Sequence, residues 1–150
     1  MSVERKWDWP ERLADYFIAV EKNKFIYGHH DCVLFAIGAI EAMTDLDMAS
    51  KFRAKYKSAR GATGMMVRMT KAKNLPDATD VFCKEWGIEE IPILFAQRGD
   101  VVEADVTLPN GTIAPALGVV ATDGQGGLFV TETVFLKIKL CDCNRAWRNS

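Results

Sequence analysis

The chain has 150 residues, 49 % of them hydrophobic and 26 % charged, with a net charge of −1. That length makes residues 1–150 a single domain whose one core buries about two-thirds of the unfolded surface. No apolar run reaches the ~18 residues of a membrane span, so no helical membrane span is expected, and the sequence has no repeat or low-complexity segment.

Met1 to Trp7 lacks the apolar core of a signal peptide, which predicts a protein made and kept in the cytosol. Trp9-Pro10-Glu11 then reads as a helix start, with Pro10 in the first turn and an apolar stripe of Leu13, Tyr16, Phe17 and Val20 running to about Glu21. Phe25-Ile26-Tyr27 leads into a turn at Gly28. From Val33 to Met43 nearly every residue is apolar or small, so this second helix is expected to be buried on most sides. Asp31 or His30 stands at its N-cap position.

Thr44 to Asp47 forms a turn ahead of a short helix expected over Met48–Tyr56, where Met48, Phe52 and Tyr56 recur at four-residue spacing. Ser58–Lys73 has a weaker helical pattern broken by Gly61 and Gly64. Pro76 to Asp80 opens a further helix that ends at Gly87, a C-terminal cap.

Beyond Ile91-Pro92-Ile93 the hydrophobic period drops from helical to two. Strands are expected over Asp100–Ala104, Thr112–Ala121, Leu128–Thr131 and Val134–Leu140, with Asn110-Gly111 as a tight turn and Cys143–Trp147 as a last edge strand. Helices first and antiparallel strands after define an α+β fold. The four cysteines, Cys32, Cys83, Cys141 and Cys143, lack the spacing of a disulfide framework or a zinc site, and no cofactor is called for. In a strand, Cys141 and Cys143 would point the same way as packing neighbours.

Charge is unevenly spread. Between Met48 and Pro76 stand eight basic residues and no acid: Lys51, Arg53, Lys55, Lys57, Arg60, Arg68, Lys71 and Lys73. A solvated helix face is the ordinary reading of such a block, and an acidic protein partner is the functional one. Nucleic acid is disfavoured, because only Phe52 and Tyr56 interleave the cations and no nucleic-acid motif is present.

Cys32 is the residue with the most chemical promise. At the first position of a helix a thiol feels the positive end of the helix dipole and is acidified, whereas a carboxylate one residue earlier acts in the opposite sense. Cysteine beside Val-Leu-Phe is otherwise an ordinary packing residue.

Tyr27-Gly28-His29-His30-Asp31-Cys32 followed by an apolar helix resembles the nucleophile segment of the papain-like NlpC superfamily of cell-wall peptidases. Gln97-Arg98-Gly99-Asp100-Val101-Val102 is similar to that superfamily's step into its first strand. The resemblance implies a papain-like, NlpC-type α+β fold with the Cys32 helix packed on the following sheet. It also implies that Ala116, in Ala116-Leu117-Gly118-Val119-Val120, stands where active members carry the histidine base. Only His29 and His30 exist in this chain, and His30 is the one nearby candidate for a replacement. General acid–base help is worth about 10² to 10⁴ in rate, so such an enzyme would be crippled.

The likeness extends to a group of small phage-encoded proteins through Trp9 to Leu13, Gly28 to Cys32, Thr44 to Asp47, Phe52 to Tyr56, Arg98 to Val101, Leu117 to Val119 and Ala146 to Arg148. It implies a gene of a tail-assembly cluster, made in the host cytoplasm and placed in the virion tail tip or baseplate. Cys32 is then a remnant nucleophile, and Lys51, Arg53, Lys55, Lys57 and Arg60 are expected to contact other tail proteins. The competing expectation is an active cysteine peptidase acting on peptidoglycan through Cys32 with His30 or a base from a partner chain.

Overall fold

The computed structural model describes residues 4–132 and 135–149. The expected strand start at Val134 and the reading of Met1 to Val3 lie outside these residues. In chain order the elements are α1 (Trp9–Val20), α2 (Cys32–Thr44), α3 (Ala59–Thr70), α4 (Leu75–Glu85), β1 (Glu89–Ile91), β2 (Val101–Thr107), β3 (Ile113–Val120), β4 (Gly126–Val130), β5 (Phe135–Lys139) and β6 (Arg145–Arg148). The α+β reading holds: four helices precede all six strands of a wholly antiparallel sheet with strand order β1-β6-β2-β3-β4-β5.

Helix α2 is the centre of the core, because its apolar residues cover every face. Val33, Phe35, Ala39, Ile40 and Met43 are all buried, and each large side chain kept from water contributes about 1.5–3 kcal/mol. On one side α1 supplies Tyr16 and Phe17, whose rings lie 5.8 and 6.0 Å from that of Phe35. The Tyr16 hydroxyl donates to the Phe35 carbonyl at 2.8 Å, drawing the two helices together. On the other side Leu117 and Val119 of β3 join the same cluster. The opposite parity of the sheet, including Val102, Ala104, Ala116 and Phe129, builds a second cluster with Ala96 and Cys143.

The helix expected over Met48–Tyr56 is instead one 3₁₀ turn, Ala49–Lys51, followed by irregular backbone. Its apolar spacing reported burial and not helix: Met48, Phe52 and Tyr56 are all buried. The chain leaves helical geometry because Ala54 takes a left-handed φ of 60° and donates its N–H to the Gly28 carbonyl at 2.7 Å. Conversely, α3 runs unbroken through Gly61 and Gly64, started by the Ser58 hydroxyl, which accepts from the Gly61 N–H at 3.0 Å.

Two expectations in the C-terminal half are corrected, and one strand went unread. Residues 145–148 form an interior strand, not an edge, because β1 pairs outside them through Glu90 and Trp147. Cys141 and Cys143 do not share a strand face: the chain turns through a 3₁₀ segment, Leu140–Asp142, leaving Cys141 exposed and Cys143 buried. Strand β1 itself went unread, since three residues carry too little periodicity to register.

Arg98-Gly99-Asp100 is the turn into β2, with Gly99 at φ 88°. It delivers the wholly buried Asp100 carboxylate to a clamp. Arg5 reaches Asp100 Oδ1 at 2.9 Å and Arg148 reaches Oδ2 at 2.9 Å, while the Gln97 backbone N–H donates to Oδ2 at 2.8 Å. Asn149 Oδ1 accepts from Arg5 as well.

Candidate functional site

The Gly28 turn and the first turn of α2 form one hydrogen-bonded unit around Asp31. Its carboxylate accepts from the Leu34 N–H at 3.0 Å, as an N-cap should, from the Gly28 N–H at 2.8 Å and from the Tyr56 hydroxyl at 2.7 Å. Of the two candidate caps, Asp31 therefore holds the role. Gly28 is required there: it sits at φ 85°, and an added Cβ would overlap the Tyr56 carbonyl. Cys32 follows as the first residue of α2.

Cys32 borders a cavity of about 100 Å³. Phe25, Tyr27, Val33, Ala62, Leu75, Val106, Ala114, Ala116 and Val130 contribute walls, and Glu132 lines it as well. The Tyr27 hydroxyl donates to Glu132 Oε1 at 2.6 Å, joining the turn before α2 to the segment after β4. The structure thus brings together Cys32 and Ala116, the two positions paired by the sequence reading. The small side chain at 116 leaves space on the β3 side of the cavity.

His30 does not share this cavity. It is 9 % exposed and lines two other depressions, one with Tyr16, Leu34 and Glu41 and one with Lys24, Val130 and Phe135. Its backbone pairs with Ile26, which fixes the turn in this direction. Burial lowers the His30 pKa and the neighbouring Asp31 charge partly opposes that shift. His29 lines only the first of those depressions.

The electrostatics keep the thiol protonated. Burial pushes Cys32 up to about 11, and the Asp31 charge adds to the rise against the backbone N–H groups of Leu117, Val33 and Cys32 itself. The dipole expected to acidify this thiol is outweighed by desolvation and the capping carboxylate. Tyr56 is also raised, first by burial and then by Asp31, so it remains a hydroxyl donor. Tyr27 moves the same way through burial and its bond to Glu132.

A direct expectation follows for thiol chemistry. In a Cys141→Ser background, iodoacetamide labelling of Cys32 should stay low at pH 7 and rise toward pH 11, read by mass spectrometry of the Cys32 peptide. Folding is linked in the same direction. The folded thiol titrates above its unfolded value of 9.0, so its contribution to stability is complete below pH 9 and is lost as pH rises toward about 11. Half-maximal labelling near neutrality would contradict the burial argument.

Tyr56 and Glu132 were not legible as site residues. Tyr56 read as one step of an apolar stripe, and Glu132 reaches Tyr27 across 105 positions, a separation with no local sequence signal. The basic block stands apart from the cavity for the most part: Lys51, Arg53, Lys55 and Lys57 are exposed on the irregular segment before α3. Arg60, also exposed, borders a shallow depression shared with Tyr27 and Glu132. Among the described residues none of the eight cations forms an ion pair, and Lys51 lies 5.7 Å from the Trp86 ring centroid. No group of three or more metal-ligating side chains occurs among the described residues, and no helix there is long and apolar enough to cross a membrane.

No curated protein matches this chain, and no solved structure does. Residues 4–149 match the family described as a domain of unknown function, DUF6950, and the chain belongs to that family.

Proposed function

We propose that this chain is a structural component of a phage tail tip or baseplate, built on a papain-like domain whose peptidase site is silent. One observation carries the catalytic half of this reading: Cys32 and Ala116 line one cavity that neither histidine enters. A cysteine hydrolase needs an imidazole within about 3 Å of its nucleophile to take the thiol proton and return it to the leaving amine. Here the thiol is held protonated and no histidine lines its cavity. The retained Asp31 cap is the feature that favours the rival, a working peptidase, and it stabilises the fold without it.

The assembly half rests on the seven sequence motifs shared with small phage-encoded proteins and on the exposed basic block. Unpaired cations gathered on one segment suit docking against an acidic subunit, where complementary charge sets partner choice and orientation. Reversing Lys51, Arg53, Lys55 and Lys57 to Glu should reduce incorporation into particles by about tenfold or more, since like charges at an interface cost several kcal/mol. The urea unfolding midpoint of the isolated protein should not move, because exposed charges contribute little to folding. The decisive test is mass spectrometry of purified virions beside the cleared lysate. Presence at fixed stoichiometry in particles supports the assignment, and recovery only as free protein overturns it. Muropeptide cleavage by the purified chain, abolished by Cys32→Ala, would overturn the silent-site reading.

A further inference from the structure

The corner of the sheet at Asp100 carries more donors than acceptors. Both oxygens of its carboxylate are already taken, by Arg5, by Arg148 and by the Gln97 N–H. Arg148 spends one further bond on the Phe95 carbonyl, at 2.8 Å, and Nη1 of Arg5 and of Arg148 meet no acceptor among the described residues. Arg98 brings another guanidinium to the same corner. Its carbon lies 5.3 Å from the Trp9 ring centroid, where that of Arg5 lies at 4.4 Å. Arg98 is exposed and makes neither ion pair nor hydrogen bond among the described residues. The shortage of acceptors extends inward: Asn149 is 2 % exposed, and its Nδ2 has no partner among the described residues. Arg5, Arg98 and Arg148 thus stand against the single carboxylate of Asp100. We infer that this corner is a docking site for an acidic side chain of a partner protein, with Arg98 and Arg148 as its outer contacts.

The chemistry of the donors selects the ligand. A guanidinium is a planar fork of N–H groups with no acceptor, and a carboxylate is its geometric complement, two oxygens with no donor. An ammonium would meet like charge here, and a side-chain amide would bring two donors to a place already rich in them. Stacking on Trp9 holds the Arg98 fork in place before a ligand arrives, which lowers the ordering cost of binding. The rim selects the source. Leu94 and Phe95, 71 % and 68 % exposed, stand on the turn whose carbonyl receives Arg148. A free inorganic anion would cover the arginines and leave those apolar side chains in water, whereas a polypeptide segment with apolar neighbours around its acid covers both. Arginine and aromatic groups together are also the composition of strongly binding interface centres. The corner shares no residue with the Cys32 cavity or with the basic segment from Lys51 to Lys57, so it is a separate contact surface.

The test titrates the full chain with the peptide acetyl-Leu-Glu-Phe-amide at low salt and follows the arginine Nε–H signals by NMR. Saturable shifts are expected at Arg98 and Arg148. The glutamine counterpart, acetyl-Leu-Gln-Phe-amide, should bind about tenfold or more weakly, because it loses the charge-assisted bonds. Arg98→Ala should weaken the glutamate peptide by about tenfold and leave the urea midpoint where it was, since this side chain has no hydrogen-bond partner in the fold. Arg98→Lys, which keeps the charge and loses the fork, should restore only part of the affinity. Phe95→Ser should weaken the peptide while leaving the binding of acetate unchanged. Equal affinity for the two peptides, full affinity in Arg98→Ala, or shifts confined to other residues overturns the site. Sulfate or phosphate binding as tightly as the glutamate peptide overturns the protein-borne source. Absence of the chain from virions would sink the tail assignment and leave this result standing, and an indifferent Arg98 would sink this site and leave the tail assignment standing.

Discussion

Asp100→Ala should cost about 3–5 kcal/mol of unfolding free energy, the usual result of stripping one partner from a buried ion pair. The carboxylate is wholly buried and holds two guanidinium groups and one backbone N–H. Arg5 is itself lowered by burial and by the nearby Arg148 charge, and Asp100 is what opposes that shift. Removing the carboxylate therefore leaves two cations facing each other with nothing between them. Asp100→Asn keeps the volume and an acceptor oxygen, and should lose less. Urea denaturation of both variants at pH 7 checks the order. A loss below about 1 kcal/mol for Asp100→Ala would mean that solvent enters and replaces the carboxylate.

The second large effect is expected at Asp31. Replacing it with Ala removes the N-cap of α2, worth about 0.5–2 kcal/mol, and strands the Gly28 N–H and the Tyr56 hydroxyl, each at roughly 1–3 kcal/mol when left unsatisfied in the interior. These terms overlap, since all three donors share one carboxylate, and a total of about 2–4 kcal/mol is expected. Asp31→Asn preserves most of the geometry and deletes the charge. Because that charge helps raise the Cys32 pKa, Asn should shift the labelling profile of Cys32 to lower pH. If stability falls and the profile stays fixed, Asp31 acts on the fold alone and desolvation by itself holds the thiol protonated.

The buried helix was legible because its pattern is extreme: eleven residues from Val33 to Met43 contain one charge, Glu41. The Asp31 cap followed from stereochemistry available in any sequence. The stripe of Met48, Phe52 and Tyr56 was read as helical, because four-residue apolar spacing carries no record of the backbone bond from Ala54 to Gly28. Gly61 and Gly64 were given too much weight as breakers. Glycine lowers helix propensity by about 1 kcal/mol each, and the burial of Ala62 and Met66 on α3 offsets that cost. At the site, Cys32 and Ala116 were found through pattern, whereas the contributions of Tyr27, Tyr56 and Glu132 arise only when segments distant in sequence meet.

The clamp at Asp100 also determines how the domain carries a load. Arg5 and Asn149 stand 144 positions apart and touch, and both are tied to the same corner of the sheet through Arg5 and Arg148. Tension applied across residues 5 and 149 is therefore borne first by a few charged contacts, which open one after another, and not by the β2–β3 ladder, whose seven paired positions would have to shear together. A force of that direction peels the two arms away, and reaches α2 through the Lys6 N–H bond to the Met43 carbonyl. Pulled between an internal site on β3 and residue 5, the same domain should resist at markedly higher force.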